Sequence, residues 1–257
     1  MAAAGMGAGL IAALLASFDL RWLFVADAAT CLACAVVVAA FLPSSQRKQV
    51  TEESKVNAWT DPRLLAMLVF GTVFAIIYLQ ITIALPLTLT DRGLSISLLG
   101  VILTVAATTM VLGQPVLACR RVRLLDDFTA MTIGYTILAA GLLLNEVATD
   151  LAGFVVAAIV WSVGDLVLLG RAYTIIAAIA SETGRGRYMA VYGISWGLAG
   201  IAAPLLGTQL LAHGGPLLAW SAVAALCLAL AVAQPVLRRR FRPREASAEL
   251  GTERREA

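Results

Sequence analysis

The sequence predicts an all-α integral membrane protein with about eight transmembrane helices of about 20 residues each. Hydrophobic residues make up 60% of the 257 residues and charged residues 14%, whereas soluble domains average about 45–50% and about 25%. The apolar residues occur in runs of about 18 or more, the length that crosses a bilayer. The basic residues are concentrated in alternate loops, as in multi-pass proteins. The alternative, a soluble protein with long core helices, does not account for runs this long with so few charges.

The first apolar segment covers residues 1–17 and is rich in glycine and alanine. A secretory signal peptide carries Lys or Arg before its apolar run, and no such residue occurs before Arg21. We therefore interpret this segment as a short helix rather than as a cleaved signal.

Seven further apolar runs, separated by polar or charged loops, predict the remaining spans. They cover residues 22–42, 64–89, 98–118, 128–145, 152–180, 188–212 and 216–236. The longest internal hydrophilic loop follows the second span, and we expect a boundary between two substructures there. The predicted organisation is two helices in 1–43, a central cytoplasmic loop in 44–63, a six-helix bundle in 64–236 and a charged tail in 237–257.

The basic residues predict the orientation of the chain. Sixteen of the 19 Lys and Arg residues lie in the tail and in the loops after the even-numbered spans, and only Arg21 and Arg92 lie in the opposite loops. Because cytoplasmic loops carry the excess of Lys and Arg, we expect a multi-pass protein of the cytoplasmic membrane with both termini in the cytoplasm. The segment LRRRFRPR (residues 237–244) directly follows a span, which favours contact with anionic membrane lipid over binding of nucleic acid.

The composition argues against several classes of site. His213 is the one histidine, which argues against a multi-histidine metal site. Cys31 and Cys34 form a CxxC within a predicted span, where lipid disfavours the thiolates that metal or redox chemistry needs. The sequence shows no nucleophile motif, phosphate-binding loop or acid–base cluster. We therefore predict no enzyme activity, no metal and no cofactor.

Asp165 is the leading candidate for a functional charge. It lies near the middle of the sixth span, where a charged side chain costs roughly 2.5–3.5 kcal/mol on insertion scales. Trp161 lies one helical turn before it on the same face. A carboxylate at this depth can bind a proton, a cation or a cationic drug, so we interpret Asp165 as a proton or cation site and Trp161 as a cavity residue. The alternative for Asp165 is a structural hydrogen bond to a neighbouring helix.

Two further charges lie within predicted spans. Arg171 lies about 120° around the helix from Asp165, so the two side chains cannot form a close pair within that helix. The guanidinium of Arg171 either extends to the inner membrane interface or binds an anion or carboxylate in the cavity, and the second alternative makes it a substrate-cavity candidate. Asp27 lies near the outer end of the second span, where we expect a structural role.

Tyr78 and Gln80 lie near mid-depth in the third span and are substrate-cavity candidates. They are two residues apart, so they point to different faces of the helix, and at most one is expected to face a cavity. Aromatic and amide side chains suit lipophilic substrates with one or two polar atoms. The alternative is a hydrogen bond between helices.

Several motifs resemble, in their order and spacing, those of the major facilitator superfamily, particularly its drug-efflux carriers. The stretch WSVGD (161–165) resembles a motif of the family's tenth helix. The loop before the seventh span is similar to the RGRY motif that enters the eleventh helix, and it contains Gly184, Arg185, Gly186, Arg187 and Tyr188. The stretch GIAAPLLG, with Pro204 and Gly207, is similar to a motif within that helix.

This resemblance covers essentially the whole chain and implies that the eight spans correspond to helices five to twelve of the family, without its first four. It implies one complete six-helix bundle and two helices of the other bundle, around a central cavity. The function it implies is transmembrane transport of a small-molecule substrate by a proton-coupled efflux carrier. A homodimer or a partner protein would then supply the missing helices. The alternative is a non-transporting membrane protein, either a truncated carrier or a scaffold.

Overall fold

The computed structural model describes residues 20–41, 58–119, 122, 124–181 and 184–241, which form helices joined by short turns. Within these ranges the chain contains no β-strand, in agreement with the predicted all-α class. The predicted first span, most of the central loop and most of the charged tail lie outside the described residues.

Seven α-helices and one short 3-10 helix are present in the described residues. Their bounds are α1 Leu20–Phe41, a 3-10 helix at Ala58–Thr60, α2 Pro62–Asp91, α3 Leu98–Ala118, α4 Asp127–Val147, α5 Leu151–Leu168, α6 Arg171–Ile179 and α7 Arg185–Phe241. Five stretches are long and apolar enough to cross a membrane: α2, α3, α4, α5 together with α6, and α7. The chain is therefore an all-helical membrane protein.

α7 is too long for a single crossing, because its 57 residues correspond to about 85 Å at 1.5 Å per residue. At Gly215 the backbone leaves the helical conformation, with φ 63° and ψ −165°. We call the parts before and after this break α7a (185–214) and α7b (216–241). The break lies between the predicted spans 188–212 and 216–236, so α7 is long enough to be the helix pair that the sequence predicts there.

The structure divides the predicted span 152–180 into two helices. α5 ends at Leu168 and α6 begins at Arg171. Between them Gly170 adopts the left-handed conformation, with φ 80°. Glycine adopts this conformation without the steric penalty that a Cβ brings, so one glycine is sufficient to interrupt the helix.

Three of the helices begin at an aspartate cap. The backbone N–H groups of Arg63, Thr129 and Gly153 donate to the side chains of Asp61, Asp126 and Asp150 at 2.8, 3.3 and 2.9 Å, respectively. These bonds satisfy donors that the first turn of a helix leaves unpaired. The positions at which these three helices begin therefore have a local chemical cause.

One end of the molecule carries most of the described arginines, and we call it the basic end. α2 and α7a begin there, since the hydroxyl of Tyr188 donates to Asp61 at 2.9 Å. α4 begins and α7b ends there, since Arg238 pairs with Asp126 at 3.3 Å. At the opposite end, the guanidinium of Arg92 donates to the carbonyl of Glu146 at 2.7 Å, which joins the ends of α2 and α4.

The helices α2 to α7 pack together through small residues. A Cβ on Gly164 of α5 would lie 2.6 Å from the backbone nitrogen of Leu138 in α4, and one on Gly71 of α2 would lie 2.5 Å from the ring of Tyr192 in α7a. Glycine permits such close contact between membrane helices. By contrast, every described side chain of α1 is exposed. The packed bundle thus consists of α2 to α7, and the described side chains of α1 take no part in its core.

Candidate functional site

A cavity of about 200 Å³ lies between α2, α4, α5, α6 and α7a, with one side chain contributed by α3. Its lining consists of Phe74, Tyr78, Met110, Met131, Tyr135, Asp165, Leu168, Leu169, Gly170, Ala172, Tyr173, Tyr192 and Trp196. Asp165 is the one acidic or basic side chain in this lining. A mostly apolar pocket with a few polar groups is typical of a small-molecule site.

The carboxyl group of Asp165 is buried without a partner in the part of the chain that the structure describes. The residue is 5% exposed, and neither carboxyl oxygen has a hydrogen-bond partner within the described residues. An ionised carboxyl group buried in this way is strongly unfavourable unless it is neutralised by a proton or a cation. The group can therefore accept a proton, or it can hold a cation that enters the cavity.

The break between α5 and α6 faces the same cavity, since Leu169 and Gly170 belong to its lining. The N–H of Leu169 still donates to the carbonyl of Asp165 at 2.9 Å, and the N–H of Thr174 donates to the carbonyl of Gly170 at 3.0 Å. Non-helical backbone at membrane depth is tolerated where it is buried in protein or lines a cavity. The break thus brings the backbone of Leu169 and Gly170 to the cavity wall without leaving these two hydrogen bonds unmade.

Six of the lining side chains are aromatic. Tyr78 and Trp196 make an edge contact with ring centroids 5.5 Å apart, and Tyr173 and Tyr192 make another at 5.2 Å. Aromatic rings attract cations through their electron-rich faces. A carboxylate surrounded by such rings is suited to a lipophilic cation.

Of the sequence-predicted site residues, the structure brings Asp165 and Tyr78 together in the cavity. Gln80 does not line it. Gln80 is buried, and its amide nitrogen donates to the carbonyl of Ala203 in α7a at 2.7 Å. A Cβ on Gly207 would contact the same amide group. Gln80 therefore makes a hydrogen bond between helices, which was the alternative to a cavity role in the sequence analysis.

Trp161 and Arg171 also lie outside the cavity lining. Trp161 is buried, and its indole N–H has no partner within the described residues. The guanidinium of Arg171 pairs with Asp127 at 2.7 Å and donates to the carbonyl of Val122 at 3.1 Å. Arg171 thus contacts the start of α4, although its neighbours Gly170 and Ala172 line the cavity.

The family-like motifs at the start of α7a and within it contribute to helix ends and helix contacts, whereas the motif WSVGD in α5 supplies Asp165 to the cavity. The carbonyl of Gly184 accepts from the N–H groups of Arg187 and Tyr188 at 3.0 and 3.1 Å, which begins α7a. Arg185 and Gly186 are exposed in its first turn. Pro204 lies within α7a and is exposed as well. Of Asp27, only the backbone, within α1, is described.

Sequence reasoning missed most of the aromatic lining, including Phe74, Tyr135, Tyr173, Tyr192 and Trp196. The spacing of the aromatic residues could have indicated part of this lining. Two pairs, Phe74 with Tyr78 and Tyr192 with Trp196, are spaced at i, i+4 and so share a helix face. In the described residues, no group of three or more His, Cys, Asp or Glu side chains is placed to hold a metal ion.

A comparison with known protein families finds a match that covers the chain. The sequence model of the Major Facilitator Superfamily matches the chain over residues 1–119 and again over residues 81–257. Together the two matches span all 257 residues. No curated protein matches the chain.

Proposed function

The chain belongs to the major facilitator superfamily of membrane transporters, and we propose that it is a proton-coupled efflux carrier for small lipophilic cations. Members of this family transport small molecules across membranes and are normally not enzymes. In the proposal, a proton and the cation occupy Asp165 in turn. The observation that carries it is the carboxyl group of Asp165, which is buried in an aromatic cavity and has no partner among the described residues.

The proposed exchange follows from charge balance. Asp165 carries one negative charge, so it is neutralised either by a proton or by a monovalent cation, but not by both at once. Proton binding on the side with more protons releases the cation there, and cation binding on the other side releases the proton. With a proton gradient directed into the cell, each cycle exports one cation.

The proposed recognition of the substrate combines charge with apolar contact. Tyr78 and Trp196 are 36% and 39% exposed, so their rings are accessible to a ligand as well as in contact with each other. A desolvated cation–ring contact contributes about 2 kcal/mol. Met110 and Met131 add flexible apolar surface that adapts to ligands of different shape.

The proposal includes an arrangement in the cell membrane. The basic end faces the cytoplasm, because cytoplasmic segments carry the excess of Lys and Arg. The eight predicted spans then correspond to helices five to twelve of the family. Residues 44–63 form its central cytoplasmic loop, and residues 64–236 form its second six-helix bundle.

Transport by reconstituted protein tests the role of Asp165. We expect the purified full chain in vesicles to move tetraphenylphosphonium when an inward proton gradient is imposed. The variant D165N should lose this gradient-driven transport, because an amide neither binds a proton nor balances a cation. The control D91N removes an exposed carboxylate at the end of α2 and should transport normally. Full transport by D165N would overturn the proposed role.

Proton release on ligand binding tests the coupling separately. In weakly buffered detergent solution, we expect tetraphenylphosphonium to displace close to one proton per chain at a pH where Asp165 is protonated, and none from D165N. If binding releases no proton and transport does not depend on the pH gradient, the mechanism is facilitated diffusion rather than proton coupling. Binding without transport under any gradient would favour the non-transporting alternative.

A further inference from the structure

We infer that a groove at the basic end, between α4 and α7b, binds one anionic phospholipid. The groove has a volume of about 200 Å³ and is lined by Phe128, Thr129, Thr132, Ile133, Pro235 and Arg238. We call it the lipid groove. It shares no lining residue with the aromatic cavity, so the inference does not depend on the proposed transport mechanism.

The walls of the lipid groove suit an acyl chain. Its two hydroxyl groups are already bonded within the protein: Thr132 donates to the carbonyl of Phe128 at 3.0 Å, and Thr129 donates to Asp126 at 3.4 Å. The remaining walls are hydrocarbon and aromatic surface. Ile133 is 40% exposed, so the groove is open beside it. In a membrane helix, an apolar surface of this kind faces lipid.

The rim of the lipid groove suits a phosphate group. The Nε atom of Arg238 lies 3.3 Å from Asp126, and the Arg238 side chain is 43% exposed. A guanidinium has five N–H donors in a planar fork, and this ion pair engages only one edge of it. Asp126 thus orients Arg238, and we expect the terminal N–H groups to bind the phosphate. Guanidinium and phosphate form paired, charge-assisted hydrogen bonds.

The charge around the rim favours an anionic headgroup over a zwitterionic one. Arg239 and Arg240 follow Arg238 in the last turn of α7b, and both are exposed. The nearby carboxylates are already paired, Asp126 with Arg238 and Asp127 with Arg171. A net positive rim attracts the phosphate of phosphatidylglycerol, whereas the choline of phosphatidylcholine adds a positive charge that opposes it.

The lining of the lipid groove extends from the basic end along both helices. Pro235 precedes Arg238 by about 4.5 Å along α7b, and Ile133 lies about 9 Å into α4 from Asp127, at 1.5 Å per residue. A phosphate bound at Arg238 therefore places the beginning of an acyl chain along Pro235 and Ile133. Basic pockets between membrane helices on the cytoplasmic side bind anionic headgroups in this manner.

Lipid binding to the purified full chain tests the inference. We expect native mass spectrometry to show preferential retention of phosphatidylglycerol over phosphatidylcholine. The variant R238Q should lower phosphatidylglycerol affinity about fivefold, from the loss of one basic residue near the phosphate. The matched control R185Q removes the same charge from the exposed first turn of α7a, outside the lipid groove, and should change the affinity much less. Equal losses in the two variants would show nonspecific attraction and overturn the inference.

A second variant tests the groove without changing any charge. I133W fills the apolar wall with a larger side chain and should reduce retention of phosphatidylglycerol while Arg238 is intact. Unchanged retention in I133W would overturn the inference, because a lipid held only by surface charge is insensitive to the groove. If R238Q is not recovered as folded protein, the result for I133W decides alone.

Discussion

At the scale of single residues, the state of Asp165 is set by what surrounds it. Its carboxyl oxygens have no partner among the described residues, and the one arginine close to it in sequence, Arg171, is engaged by Asp127. A paired Asp165 would be a structural ion pair with little capacity to exchange ligands. An unpaired one requires a proton or a cation, so it responds to both.

Trp196 provides a test of the aromatic contribution to cation binding. Replacing its ring in W196L should weaken the binding of tetraphenylphosphonium about 2- to 30-fold, the range that corresponds to one cation–ring contact. The variant W196F keeps an aromatic face and should recover most of the affinity. Equilibrium binding in detergent measures both. Equal affinities for W196L and the unmodified protein would remove Trp196 from the substrate contacts.

At the scale of elements, the break between α5 and α6 is set by the backbone of one residue. Gly170 has φ 80°, and nothing lies within 4 Å of the position of a Cβ on it. The requirement for glycine is therefore conformational rather than a matter of space. α6 begins directly after this break, and its Ala172 and Tyr173 line the cavity.

G170A tests this conformational requirement. A left-handed conformation costs a residue with a Cβ about 1–2 kcal/mol, so G170A should unfold at a lower temperature than the unmodified protein. Gly186 offers a matched control, because its Cβ position is also open but its φ is not positive. G186A should therefore unfold normally. Thermal unfolding in detergent, followed by intrinsic fluorescence, measures both, and equal effects would contradict the assignment.

At the scale of the whole molecule, polar contacts join the helices at both ends of the bundle. At the opposite end from the basic residues, the hydroxyl of Ser221 donates to Glu146 at 2.7 Å, and the indole of Trp220 donates to Thr88 at 3.0 Å. These contacts connect α7b to α4 and to α2. The helices around the cavity are therefore held together at both ends of the bundle.

Cysteine labelling tests the orientation of the whole molecule in the membrane. Cys119 is exposed at the end of α3, on the side predicted to be cytoplasmic. In a variant that keeps only this cysteine, a membrane-impermeant maleimide should label it in broken cells but not in intact cells. In a cysteine-free background, H213C near the Gly215 break should be labelled in intact cells. The reverse pattern would overturn the proposed orientation.

The sequence by itself determined the membrane class and the approximate position of the long apolar helices, because hydropathy and charge act along the chain one segment at a time. The family followed separately, from the resemblance of short motifs such as WSVGD (161–165). It also identified Asp165, since a carboxylate within an apolar run stands out without any knowledge of its neighbours. Tyr78 and Gln80 remained equivalent candidates at that level. Their difference in depth and chemistry is small, and their partners lie on another helix.

Only the tertiary structure decided which helix faces meet. It separated Tyr78, in the cavity, from Gln80, bonded to Ala203, and it gave Arg171 a carboxylate partner 44 residues away. The aromatic lining comes from four different helices, and each ring by itself is indistinguishable from a lipid-facing or packing residue. Close packing at glycines such as Gly164 sets the rotation of each helix, and that rotation is a property of pairs of helices rather than of one segment.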